Sequence, residues 1–215
     1  MRTLDYLPNT NIYLYQDSEM FRINSDTRYL GEFIDLKKND VILDVGTNNG
    51  ALLLYANMKG CKKLVGVDIN SKAIELCEEN MKLNKIENYE LHSCKVQNLK
   101  IDKVDVVVCN PPYFKSGKAK DNKDLANARH EGELTLFELI ESSKRLLKEN
   151  GKLMIVYKSC DVAEVISLLD LNGFGINKIQ FVFDENKDNS TCFMLEAIKG
   201  KKHNVKVIKS IEIRH

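Results

Sequence analysis

The sequence predicts an α/β fold: a mostly parallel seven-stranded sheet with helices on both faces and an antiparallel hairpin at its end. Three observations carry this. From about residue 41 short apolar runs alternate with amphipathic stretches, the rhythm of βα units. The runs at 41–43 and 64–67 are continuously apolar and that at 104–109 is apolar but for Asp105, as expected of strands buried on both faces. The last two runs, 176–183 and 192–198, are separated only by the polar segment 184–190, which reads as a hairpin turn.

Taken in order, residues 1–35 form a lead-in. Ile12 to Tyr15 and Met20 to Ile23 are short β-type runs on either side of Gln16 to Glu19, consistent with a hairpin or two extended pieces. Residues 26–35 read as a helix, because Tyr29, Leu30, Phe33 and Ile34 recur along one face. The strand at 41–43 is followed by a helix over 51–58 and a strand over 64–67. Next comes a helix over 71–83, with Ile74, Cys77 and Met81 as its apolar stripe and Asn70 or Ser71 as its cap. Strands are expected at 89–93 and 104–109. A polar loop of roughly fifteen to twenty residues follows, longer than a connection needs, as expected of a functional or a mobile segment. The helix over 134–147 is expected to close at Asn150-Gly151 through a left-handed cap. A strand at 153–157, a helix over 162–171 ending at Gly173 and the final hairpin complete a catalytic core at 36–200, leaving a basic tail at 201–215. The whole is expected to be a single domain.

Composition narrows the class. With 215 residues, 43% of them apolar, the chain has enough material for one good core. Its six cysteines are scattered without a Cys-x-x-Cys pair or Cys/His cluster, which points to free thiols in a reducing compartment rather than to disulfides or a metal site. The first residues lack an apolar targeting core and no window reaches membrane-spanning length, so a cytoplasmic protein with no membrane and no metal is expected, monomeric by default. The net charge of +1 decides nothing about nucleic acid, because distribution matters more than the sum.

Chemistry concentrates at three strand ends. In Asp44-Val45-Gly46-Thr47-Asn48-Asn49-Gly50 a glycine permits a tight turn and lets backbone N–H groups at the helix start face a ligand. Asn48 stands where a dinucleotide fingerprint requires its second glycine, which argues against NAD or FAD and leaves a nucleoside cofactor without phosphates. Asp68, at the end of the next strand, is placed to accept both hydroxyls of a ribose. Asn110-Pro111-Pro112-Tyr113-Phe114 opens from the strand 104–109. Two prolines stiffen the backbone there, holding an amide and an aromatic face together where open α/β sheets place their chemistry.

Asp44-x-Gly46-x-x-x-Gly50, Asp68 and Asn110-Pro-Pro-Tyr113, in this order, resemble the motif set of Rossmann-like class I S-adenosylmethionine-dependent methyltransferases that act on exocyclic amino nitrogens. The resemblance implies S-adenosylmethionine as cofactor, with Asp44, Gly46, Asn48 and Gly50 shaping the pocket for its methionine part. Asp68 and Ile69 would lie at its ribose, and Asn110 would stand at the junction with the substrate. It implies Asn110, Pro111, Pro112 and Tyr113 as the catalytic turn. The Asn110 side-chain oxygen and the Pro111 carbonyl would accept the two amino hydrogens, favouring a pyramidal nitrogen whose lone pair is free to attack. Tyr113 would stack on the target base. Where such enzymes often carry an acidic residue near the adenine, this chain has Lys95, which leaves that contact unassigned.

The wider pattern is similar to the bacterial tRNA adenine-N6 methyltransferase family. It comprises Gln16 to Phe21, Ser25-Asp26, Ala128-Arg129-His130-Glu131, Leu146-Leu147-Lys148 and Ile179-Gln180-Phe181-Val182 together with the motifs above. This resemblance implies N6 of an adenine in tRNA, adenosine 37 of a valine tRNA, as the methyl acceptor. It also implies Gln16 and Asp26 over the cofactor, positions that turn-forming polar residues would fill equally well. RNA contacts are expected from Tyr113, Phe114, Lys115, Lys118, Lys120, Lys123 and Arg129 in the long loop and from Lys201 and Lys202 in the tail. His130 is expected to position or pack rather than to act as acid or base, because N-methylation requires neither. The competing readings are a release-factor glutamine methyltransferase, a guanine-N2 RNA methyltransferase and a non-catalytic nucleoside-binding module.

Overall fold

The structure is a computed structural model that describes residues 1–111 and 134–214. In the lead-in, β1 (Arg2–Tyr6) pairs antiparallel with β2 (Tyr13–Asp17), joined by a turn in which Asn9 takes a left-handed conformation at φ 61°. The hairpin therefore forms between different segments from those expected. Residues 20–23 are not a strand, because Ile12 to Tyr15 finds its partner upstream, where Pro8-Asn9 supplies the turn. Helix α1 (Ser25–Phe33) follows, capped by Asn24, whose side chain accepts from the backbone N–H of Thr27.

The main sheet begins with β3 (Val41–Val45), followed by α2 (Ala51–Met58), β4 (Lys63–Asp68), α3 (Ser71–Leu83) capped by Asn70, β5 (Tyr89–Ser93) and β6 (Val104–Cys109). From residue 134 on come α4 (Leu136–Leu146), β7 (Leu147–Lys158), α5 (Val162–Leu171), β8 (Phe174–Asp184) and β9 (Cys192–Lys199). Strands β3, β4, β5, β6 and β7 are mutually parallel, whereas β9 runs antiparallel between β7 and β8. This is the parallel sheet with an antiparallel end that the alternation of elements predicts.

Two further strands extend the expected seven. In the tail, β10 (Lys206–Val207) and β11 (Ile211–Ile213) both pair parallel with β8, so the sheet has nine strands among the described residues. The tail alternates apolar and polar residues at 205–207 and 211–213, and this lets it cover the open edge of the eleven-residue β8. The left-handed Asn150, at φ 61°, does not cap α4. Leu147 pairs with Val104 and Lys152 with Val106, so Asn150 lies in a bulge of β7, and α4 has already ended at Leu146.

Alternation along the strands sends side chains to two cores. Leu43, Val65, Val107, Leu153 and Leu195 face α4 and α5, while Ile42, Leu64, Val106, Met154 and Met194 face α1, α2 and α3. Helices thus cover both faces. Because β3 pairs with β4 on one side and β6 on the other, the chain reverses its winding direction at β3, and a crevice opens beyond the carboxyl ends of β3 and β6.

Candidate active site

A cavity of about 750 Å³ occupies that crevice, within the usual size of small-molecule sites. Its floor is the turn after β3. Gly46, Asn48 and Gly50 adopt left-handed conformations at φ 73°, 47° and 82°, and the N–H groups of Gly46 and Thr47 both donate to the carbonyl of Val67. Gly50 is required twice over: besides its φ, a Cβ there would stand 2.6 Å from the Cys77 sulfur and 2.9 Å from the Met81 methyl carbon. The turn is thereby pressed onto α3.

Asp44 is 1% exposed and lines the cavity floor. Its Oδ2 accepts from the Thr47 hydroxyl at 2.9 Å, and among the described residues its Oδ1 has no partner. Burial pushes its pKa up to about 7; the Thr47 bond opposes the shift and the charge of Asp68 adds to it. A buried carboxylate oxygen without a partner is costly, and a cationic donor entering the cavity would relieve it. Asp68 accepts from the backbone N–H of Asn48 at 3.0 Å through Oδ2 and from that of Asn70 at 2.9 Å through Oδ1. Each oxygen keeps acceptor capacity, so the carboxylate both braces the two turns and fits a pair of vicinal hydroxyls.

Asn110, at the end of β6, lines the cavity with Pro111, and its amide donates to the Thr27 hydroxyl at 3.1 Å. Ile69 also lines it and is 58% exposed, so it forms part of the rim. Lys95 lines the far side together with Cys94, Val96 and Gln97. The expected grouping of Asp44, Gly46, Asn48, Asp68, Ile69, Asn110 and Pro111 is therefore present around one cavity, with Gly50 starting α2 directly behind it.

Other expectations are displaced. Asp26 is not among the residues lining the cavity; its carboxylate accepts from the Cys192 thiol at 3.7 Å, and the neighbouring Thr27 and Asn24 face the cavity instead. Gln16 is buried and structural. Its oxygen accepts from the N–H of Ile23 and its nitrogen donates to Asp5, each at 2.7 Å. Lys201 and Lys202 follow β9 at the opposite pole of the sheet. Strand β9 runs from Cys192, opposite Lys158 near the cavity, to Ile198, opposite Lys152. At roughly 3.3 Å per residue this is a run of about 20 Å away from Asn110, and the reason is the antiparallel direction of β9. Pro112, Tyr113, Phe114, Lys115, Lys118, Lys120, Lys123, Arg129 and His130 lie outside the described residues.

Several wall residues escaped the sequence reading. Segment 18–24 lies across the cavity, tied by Asn48 Nδ2 donating to the carbonyl of Phe21, and Phe21 itself is 85% exposed at the rim. On the other side stands Glu138, which forms a capping box with Thr135 at the start of α4. The Asn24-x-x-Thr27 spacing and the Thr135-x-x-Glu138 spacing are both readable cap signals. None of the six cysteines is in a disulfide. Among the described residues no cluster of His, Cys, Asp and Glu is arranged to hold a metal ion, and no helix is long and apolar enough to cross a membrane.

A cavity at the reversal point of a parallel sheet with a β7-β9-β8 antiparallel end defines the class: this is an α/β methyltransferase fold of the class I type. The ribosomal protein L11 methylase of Lactobacillus delbrueckii subsp. bulgaricus superposes on it with a TM-score of 0.64 at 21% identity, over 87% of this chain and 84% of that one. The chain belongs to the methyltransferase small domain family, whose model matches residues 18–173. Among curated relatives, two proteins named tRNA1(Val) (adenine(37)-N6)-methyltransferase are similar to it. That of Shewanella sediminis (strain HAW-EB3) is 25% identical over 173 residues, covering 77% of this chain and 71% of the relative. That of Vibrio vulnificus (strain YJ016) is 29% identical over 161 residues, covering 73% and 67%.

Proposed function

We propose that this methyltransferase carries a methyl group from S-adenosylmethionine to the exocyclic N6 of an adenine in tRNA, adenosine 37 of a valine tRNA. The observation that carries the reading is the placement of the Asn110 amide and Pro111 in the same cavity as Asp44 and Asp68. The names of the relatives supply the acceptor. A tRNA substrate puts the enzyme in the cytoplasm.

The donor set suits the cofactor. The unpartnered Oδ1 of Asp44 matches the ammonium of a methionine moiety, and the two oxygens of Asp68 match the ribose diol. Val67, Ile69 and Val96 offer apolar surface to a flat base. The cofactor supplies an electrophilic methyl on a sulfonium centre. The chain's own residues prepare the acceptor: Asn110 Oδ1 and the Pro111 carbonyl bind both hydrogens of the amine. These bonds draw the nitrogen out of conjugation and strengthen as positive charge develops on it. The extra proton on the methylated nitrogen is acidic and passes to solvent, so no side chain of high basicity is needed.

Purified protein, S-adenosylmethionine and tRNA lacking the modification, followed by nucleoside mass spectrometry, test the proposal. N6-methyladenosine formed by the wild type and lost in Asn110→Ala is expected. Transfer only to a protein glutamine or to guanine N2 would overturn it.

A further inference from the structure

We infer that Thr27 is a positioning residue that decides which end of the Asn110 amide faces the reacting amine. This rests on the role just given to Asn110. An amide offers an oxygen and an NH2 group of nearly equal size, and only the oxygen accepts hydrogens from an amine. A turn that presented the NH2 group would repel the acceptor nitrogen. Some neighbour must therefore set the flip.

The hydrogen bonds at the start of α1 set it in three links. The backbone N–H of Thr27 is a donor under all conditions, and it donates to Asn24 Oδ1 at 2.9 Å, so the identity of that oxygen is fixed. The Thr27 hydroxyl donates to the same oxygen at 3.0 Å, which commits its single proton. What the hydroxyl then presents to Asn110 is lone pairs alone. Only Nδ2 satisfies them, at 3.1 Å, and Oδ1 is left as the acceptor on the other side of the amide. The polarity of one peptide N–H is thus passed through a cap residue and a hydroxyl to the catalytic turn, joining residues 83 apart in sequence. Thr27 and Asn24 both line the cavity, so the relay runs along its wall.

The test compares Thr27→Val, which keeps the shape and removes the hydroxyl, with Thr27→Ser, which keeps the hydroxyl. Asn110→Ala serves as the reference. Turnover number, KM for tRNA and Kd for S-adenosylmethionine are measured for each, and the Asn110 side-chain NH2 signals are followed by NMR without substrate. The expected result is a loss of tenfold or more in kcat for Thr27→Val, with Kd for S-adenosylmethionine within twofold of wild type. Thr27→Ser should stay within threefold of wild type, and the Asn110 amide protons should exchange faster with water only in the valine variant. A valine variant that keeps more than half the wild-type kcat, a serine variant that falls as far as valine, or Asn110 amide signals unmoved by Thr27→Val would each overturn the relay. If Asn110→Ala keeps its turnover, or the wild type does not modify tRNA, the proposed function fails instead. The NMR readout then still decides whether Thr27 orients the amide.

Discussion

Replacing Asp44 by Asn probes the pocket floor, because the two side chains have the same shape and differ in whether they ionise. In the cofactor-free fold, burial raises the Asp44 pKa from 3.8 to about 7. A raised carboxyl pKa means that the folded state holds its proton more tightly than the unfolded chain. The wild type therefore loses stability as pH rises from about 4 to 7. At 1.36 kcal/mol per pK unit the cost of ionising the site is about 2 kcal/mol at pH 5 and about 4 kcal/mol at pH 8. The asparagine NH2 group, lacking a partner, costs about 1 to 3 kcal/mol at every pH. The stability of Asp44→Asn relative to wild type should therefore improve by about 2 to 3 kcal/mol between pH 5 and pH 8. For a chain of this length that is about 4 to 12 °C in Tm. Urea denaturation of both proteins at the two pH values, without cofactor, reads the difference. Affinity for S-adenosylmethionine should move the opposite way, falling tenfold or more in the variant because the ammonium loses its anion. A stability difference constant within 0.5 kcal/mol across that pH range, or undiminished cofactor affinity, would refute the role given to Asp44.

Four other variants separate parts of the account. Gly50→Ala combines left-handed strain, about 1 to 2 kcal/mol, with overpacking against Cys77 and Met81, about 1 to 3 kcal/mol. Gly46→Ala, whose Cβ meets nothing within 4 Å, should show the strain alone, and thermal melts of both variants compare them. Asn48→Gly keeps the φ of 47° accessible but removes the tie to Phe21. Losing one hydrogen bond of about 1 kcal/mol frees segment 18–24, and the cost of reordering it on binding should weaken cofactor affinity by up to about fivefold in calorimetry. Lys201→Ala with Lys202→Ala should leave kcat/KM on an anticodon stem-loop within twofold of wild type, since both residues stand at the far pole of the sheet; a tenfold loss would place RNA there.

The parallel sheet was legible because most of its strands are buried on both faces and so carry largely apolar runs, and because Asn70 and Gly173 punctuate the helices between them. The cavity was legible for a topological reason: a parallel sheet brings Asp44, Asp68 and Asn110 to one edge however far apart they lie in sequence. Direction was harder to read. Lys201 and Lys202 were expected to meet RNA from the tail with the direction of β9 left out of account. A hairpin after β8 sends the chain to the opposite pole. Asp26 was displaced by helix geometry, since neighbouring residues on α1 point about 100° apart and Thr27 takes the cavity side. The β1–β2 pairing was missed because an alternating run does not name its partner. Pro8-Asn9 was the turn signal that did.

The central claim is that the Asn110 turn methylates an adenine amine. Its most direct measurement is transfer of isotope-labelled methyl from S-adenosylmethionine to unmodified valine tRNA, with the labelled nucleoside located by mass spectrometry. The account predicts one N6-methyladenosine per tRNA at position 37 with wild type and none with Asn110→Ala. Label on any other nucleoside, or an Asn110→Ala enzyme that still deposits it at more than a tenth of the wild-type rate, would contradict it.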